Sequence, residues 1–179
     1  MDGADGLAIA GLAASIGVGL ILAVAGAAKL RHAALMEGVV ANYRILPPRL
    51  VAPVARALPY AELVVGAALM AGIRPWPQGL AIALLLGFAA AMAINIRRGR
   101  THIDCGCGLS ALRQPLDRAL VARNLVLAAM LLPARAGSAV AGMVPIAVSV
   151  AGGVALFLFY LVFNAIGALS HPPSRAIGR

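Results

Sequence analysis

Charge is scarce in this chain: Asp, Glu, Lys and Arg make up 12% of its 179 residues, against 62% hydrophobic residues. Soluble domains carry about 25% charged residues, so a water-soluble globular fold is excluded and a polytopic membrane protein is expected. Acidic residues are scarcest, 6 against 15 basic ones, which leaves a net charge of +9. Most of the Arg falls in loops and at span ends, where it selects topology, so no nucleic acid or other polyanionic partner is expected. Cysteine is nearly absent, with only Cys105 and Cys107. Two thiols are too few for a disulfide framework and read as one reactive site. The segment Met1-Asp2-Gly3-Ala4-Asp5-Gly6 has two acids and no Lys or Arg. It lacks the positive region of a cleavable signal peptide, so the first apolar run is expected to be retained as a span. Neither an internal repeat nor a low-complexity linker is present.

What remains is apolar sequence in long runs. Spans are expected over residues 7–29, 51–73, 79–96, 117–133 and 140–169, each judged against a hydrocarbon core about 30 Å thick. The fourth is short, so four or five transmembrane helices are expected. The fold class is an all-α membrane protein, a helical bundle forming a single integral membrane domain over 1–179. Gly11, Ala14, Gly17 and Ala25 in the first span suit close helix packing in lipid. Between the first two spans Leu35, Val39, Tyr43 and Leu46 recur at helical spacing, which predicts a short interfacial helix ended by Pro47-Pro48. Pro59 lies inside the second span, Trp76 at an interfacial turn, and Asp117 is the expected N-cap of the fourth span.

Loop charge predicts the orientation. Lys29, Arg31, Arg44, Arg49, Arg97, Arg98, Arg100, Arg113, Arg118, Arg175 and Arg179 fall on one side, and only Arg74 and Arg135 on the other. This predicts a bacterial inner-membrane protein with a periplasmic N-terminus and a cytoplasmic C-terminus. The loop 97–116 would then face the reducing side, where a thiol pair rests as dithiol; a periplasmic loop would suit direct disulfide exchange instead.

That loop contains His102-Ile103-Asp104-Cys105-Gly106-Cys107-Gly108. A thiol pair one residue apart can close a small, readily reduced ring, and the surrounding arginines favour thiolate over thiol. Gly106 and Gly108 permit a tight loop. The same residues offer a metal site: Cys105 and Cys107 with His102, and Asp104 as a further ligand, would suit Cu(I) or Zn(II). A third reading makes the cysteines small apolar loop residues. Within the spans Glu62 is costly unless paired. Arg123 is its expected partner and Lys29 the second candidate, with Asn124 beside Arg123 as an interhelical polar contact. Asn95 and Asn164 read as packing contacts, His32 and His171 as surface residues.

In this order Lys29, Tyr43-x-x-Leu46-Pro47, Pro59-x-x-Glu62, Arg98-Gly99, Cys105-Gly106-Cys107-Gly108 and Arg123-Asn124 resemble the methylamine utilization protein MauE family, relatives of the DoxX-like membrane proteins. The likeness runs from about Leu7 to Leu132. One departure is that Gly108 follows Cys107 directly, where family members often have an aromatic residue between. The resemblance implies a factor for maturation of methylamine dehydrogenase, supporting disulfide formation, processing or transport of its disulfide-rich β subunit. It also implies a thioredoxin-like partner. A thiol-disulfide oxidoreductase activity fits such a role; a copper-handling membrane protein and a non-redox membrane chaperone are the alternatives. With one thiol pair the chain cannot relay electrons between two disulfides of its own, so a quinone or a partner protein must accept or donate them.

Overall fold

The computed structural model describes residues 3–103, 115–136 and 142–169, and all the described elements are helical. Asp104, Cys105, Gly106, Cys107 and Gly108 lie outside the described residues, as does His171. Seven helices follow in chain order: α1 Gly3–Arg31, α2 Ala33–Asn42, α3 Pro48–Met70, α4 Trp76–Arg97, α5 Arg118–Met130, α6 Leu132–Ala136 and α7 Met143–Leu169. Four of them, α1, α3, α4 and α7, are long and apolar enough to cross a membrane.

Local chemistry moves the boundaries away from those expected. Proline is tolerated in the first turn of a helix, where its missing N–H has no intrahelical partner in any case. α3 therefore starts at Pro48, with Pro47 as its N-cap, and α4 has Pro77 in its first turn. α3 stops at Met70, three residues early, because Gly72 adopts a positive φ of 72° and Ile73 N–H turns back to the Ala68 carbonyl. The expected fourth span is divided: α5 ends at Met130 and α6 restarts at Leu132, with Pro133 inside it. Asp117 caps α5 as expected, its carboxylate accepting the Arg118 N–H. The short helix after the first span is present, with a rotated face. Met36 is buried and Val39, Val40 and Tyr43 are half-buried, whereas Leu35 is 65% exposed.

α1 is the centre of the packing. Against α3 it runs antiparallel, with Gly19 facing Gly66 and Gly26 facing Pro59 and Glu62. Against α7 it runs parallel: the Ser149 hydroxyl donates to the Ile9 carbonyl, Gly153 meets Ala13 and Ile16, and Gly17 meets Leu156. A parallel α7 requires the chain to return once more after α4. α5 and α6 make that return, from Leu120 beside Met92 to Ala134 beside Gly11. The chain thus passes along the bundle five times, the fourth pass as two short helices. Val18, Leu22, Leu69, Leu85, Leu127 and Leu131 form the main core between these passes.

The α1–α3 contact depends on bare backbone. A Cβ on Gly66 would stand 2.7 Å from the Gly19 carbonyl oxygen and 2.9 Å from the Ala23 nitrogen, both main-chain atoms that cannot rotate away. A Cβ on Gly87 would meet nothing within 4 Å. Gly66→Ala is therefore expected to lower the melting temperature in detergent, by a cost of about 1–3 kcal/mol typical of overpacking. Gly87→Ala should leave it unchanged. Equal melting temperatures for Gly66→Ala and the wild type would contradict the close helix contact.

Candidate functional site

Glu62 lies in the middle third of α3 and is fully buried. Lys29, in the last turn of α1, is only 6% exposed. Its ammonium donates to both carboxylate oxygens, Oε1 and Oε2, at 2.8 Å each. The same Nζ stands 5.6 Å from the centroid of the Phe88 ring on α4. Charge-assisted hydrogen bonds and a cation over a ring face are the two contacts that most reduce the cost of a buried ammonium. A cation in the last turn also complements the dipole of α1. The reach is short because Gly26, three residues earlier, lets the backbones close in: a Cβ there would be 2.8 Å from the Pro59 carbonyl oxygen.

The expected pairing of Glu62 with Arg123 is corrected by this arrangement. It required α3 and α5 to be neighbours, but α1 packs against α3 on one side and α7 on another, so the face of α3 that carries Glu62 meets α1. Arg123 instead joins α5 to α7. It donates to the Asn164 side-chain oxygen and its guanidinium lies 4.9 Å from the Tyr160 ring centroid. The Asn164 amide in turn donates to the Tyr160 carbonyl at 3.0 Å. Arg123 Nε is buried without a hydrogen-bond partner among the described residues. Asn124, on the buried side of α5, donates to the Leu120 carbonyl at 2.8 Å, so this contact stays within its own helix.

A second polar cluster ties down the base of the cysteine loop. Gly99 takes a positive φ of 70°, and Arg100 N–H bonds back to the Asn95 carbonyl at 2.9 Å, a Schellman ending for α4. This turn aims Arg100 across to the end of α2. Its Nη1 donates to Asn95 Oδ1 at 3.1 Å, and its Nη2 to the Asn42 carbonyl at 2.8 Å. Asn95 is fully buried and donates to the Tyr43 and Ala91 carbonyls at 3.1 Å each. Arg98 donates to the carbonyl of Arg44, a residue held at a φ of 49°. On the other side of the loop, Leu116 N–H donates to the Thr101 carbonyl at 2.9 Å. Ile103 and Leu116 are buried with Met92 and Leu120, while His102 is exposed.

The two clusters share Phe88. It receives the Lys29 ammonium on its ring and packs against the group that seats Ile103 and Leu116. Asn42 and Arg100 carried no sequence signal as a pair, because residues 58 positions apart have no periodicity to betray them. Arg98-Gly99 did carry one: glycine after a basic helix end is the pattern of a left-handed cap.

Removing one member of the ion pair should be worse than removing both, since a lone buried charge costs about 3–5 kcal/mol. The expected outcome is strong loss of folded protein in membranes for Glu62→Gln and Lys29→Met, with substantial recovery in the double variant. Glu62→Gln with Arg123→Gln should instead give additive losses. The opposite pattern, additive for Lys29 and compensating for Arg123, would overturn the assignment.

A profile of the family described as Methylamine utilisation protein MauE matches residues 7–136. Curated relatives of that name are similar along most of the chain. The protein from Paracoccus denitrificans is 41% identical over 155 residues, 84% of this chain and 83% of its own length. That from Paracoccus versutus is 40% identical over 163 residues, 88% of each chain. The one from Methylophilus methylotrophus is 44% identical over 120 residues, 66% of this chain and 61% of its own. No solved structure matches. With four helices of membrane-spanning length and this likeness over most of its sequence, the chain belongs to the methylamine utilisation protein MauE family.

Proposed function

We propose that this multi-pass membrane protein serves methylamine utilisation as a maturation factor for methylamine dehydrogenase. In this reading it works by thiol–disulfide exchange at Cys105 and Cys107, with a thioredoxin-like partner and the disulfide-rich β subunit as the downstream protein. Family membership supports the pathway. The observation that carries the chemistry is the clamped loop base: Thr101 and Leu116, which bracket the two cysteines in sequence, are hydrogen-bonded to each other, and Ile103 and Leu116 are buried.

The exchange itself is simple to balance. One thiolate attacks a sulfur of the partner's disulfide and displaces the other sulfur as thiolate. The second cysteine then attacks the mixed disulfide, closing the Cys105–Cys107 bond and releasing the partner as dithiol. In the opposite direction the closed pair oxidises a partner dithiol. Either way one pair carries two electrons per cycle and must be reset from outside.

Arg97, Arg98, Arg100 and Arg118 flank the loop at the ends of α4 and α5, and Arg44 joins them through Arg98. This cationic rim supports two parts of the proposal. It lowers the energy of thiolate in the loop, and it orients this end of the bundle towards the cytoplasm, with the N-terminus periplasmic. Cys105→Ser and Cys107→Ser are each expected to abolish active methylamine dehydrogenase in a host grown on methylamine, because a disulfide needs both sulfurs. The same variants should remain in the membrane at wild-type level. Full dehydrogenase activity with either one would exclude the thiol mechanism. Membrane-impermeant maleimide applied to intact cells should leave both thiols unlabelled if the loop is cytoplasmic.

A further inference from the structure

Between α2, α3 and α4 lies a groove of about 490 Å³, lined almost wholly by apolar side chains. Leu80 and Ile45, exposed at its rim, open it onto the outer surface of the bundle; Met36, Met92 and Lys29 are buried at its floor. On helices of membrane-spanning length that outer surface faces lipid, so the occupant comes from the lipid phase. The one charged group in the lining is the Lys29 ammonium.

We propose that this groove binds an isoprenoid quinone, with a ring carbonyl on Lys29 and the branched tail leaving between α3 and α4. Four features select this ligand. An ammonium has three donors, and Lys29 gives two hydrogen bonds to Glu62; the third N–H, beside the Phe88 ring in the groove lining, is the donor left for a ligand. Glu62 cancels the charge, so the site offers a hydrogen bond without net attraction for a carboxylate or phosphate; a neutral carbonyl fits and an anionic head group does not. Tyr43 and Phe88 are the aromatic side chains in the lining, against which a flat ring can pack. Beyond them Val54, Leu58 and Leu84 present branched aliphatic surface to a methyl-branched tail.

The position of the groove adds a functional link. Tyr43, Phe88 and Met92 line it; Met92 belongs to the cluster that holds Ile103 and Leu116 at the base of the cysteine loop, and Tyr43 and Phe88 pack against that cluster. Closing one disulfide from two thiols releases two electrons and two protons, which is what reduction of one quinone to its quinol consumes. This link rests on the thiol reading of the loop; the binding site does not, and the two can fail separately.

Gly87 provides a clean probe. It lines the groove, and a Cβ there meets nothing within 4 Å, so a larger side chain starts from open space and takes up room in the groove. The full-length protein in detergent would be titrated with decylubiquinone, reading the melting temperature. Saturable stabilisation is expected for the wild type and for the Cys105→Ser/Cys107→Ser variant. Gly87→Phe should bind at least about tenfold more weakly, as should Lys29→Met/Glu62→Met, which removes the donor and its counter-charge together. No saturable shift in the wild type would overturn the proposal. So would unchanged affinity in whichever of the two groove variants folds, or an equal shift from a long-chain alcohol or phospholipid lacking the ring. Binding with no loss of thiols on anaerobic addition of the quinone would leave the site standing and remove the link to the loop.

Discussion

A buried ion pair sets the geometry of this bundle. Lys29 and Glu62 are both out of contact with water, and burying each charge costs several kcal/mol that only a close, fully hydrogen-bonded partner offsets. The 2.8 Å contacts to both oxygens form where α1 approaches α3 more closely than ordinary side chains allow. Glycine at 19, 26 and 66 makes that approach possible, because backbone meets backbone there with no Cβ between. Dispersion between small residues holds such helices together in lipid, where the hydrophobic effect does not act between them. The charge pair adds specificity of register: a shift of α3 by one turn would separate the two charges and leave both unpaired.

The same pair dictates what the neighbouring elements must do. Lys29 is in the last turn of α1 yet lies level with the middle thirds of α3 and α4, where Glu62 and Phe88 sit. α1 therefore ends partway along its neighbours, and α2 continues past the break at His32 to reach the end of α4. The wedge left between α2, α3 and α4 is the groove. Asn42, Asn95, Arg98 and Arg100 join the ends of α2 and α4 with hydrogen bonds at the base of the cysteine loop.

Arg123 illustrates how a membrane protein accommodates a cation with no carboxylate paired to it among the described residues. Its guanidinium takes the Asn164 oxygen and the face of Tyr160, spreading a delocalised charge over one dipole and one ring. The contact joins α5 to α7, two helices that would otherwise touch mainly through α1. Two polar pairs thus fasten the bundle on opposite sides of α1: Lys29–Glu62 towards α3, and Arg123–Asn164 between α5 and α7.

Much of this was legible in the residues. Long apolar runs and the cap at Asp117 act through local chemistry, so the order of the described helices follows from sequence, while Pro47-Pro48, expected as a helix end, proves to be a helix start. The need for Glu62 to be paired also follows, because the cost of a lone carboxylate in hydrocarbon is a property of that residue alone. Its partner does not. Lys29 and Arg123 are equivalent in charge, and only the placement of α1 between α3 and α7 decides between them. The buried face of α2 was likewise undetermined: Leu35 and Met36 are both apolar, and which one turns inward depends on where α3 and α4 lie. The break in the fourth pass at Leu131 and the seating of Ala134 on Gly11 belong to the same class. Sequence alone determined which residues required burial, caps or charge partners; the tertiary structure decided which partner each received, because that choice depends on distances between helices far apart in the chain.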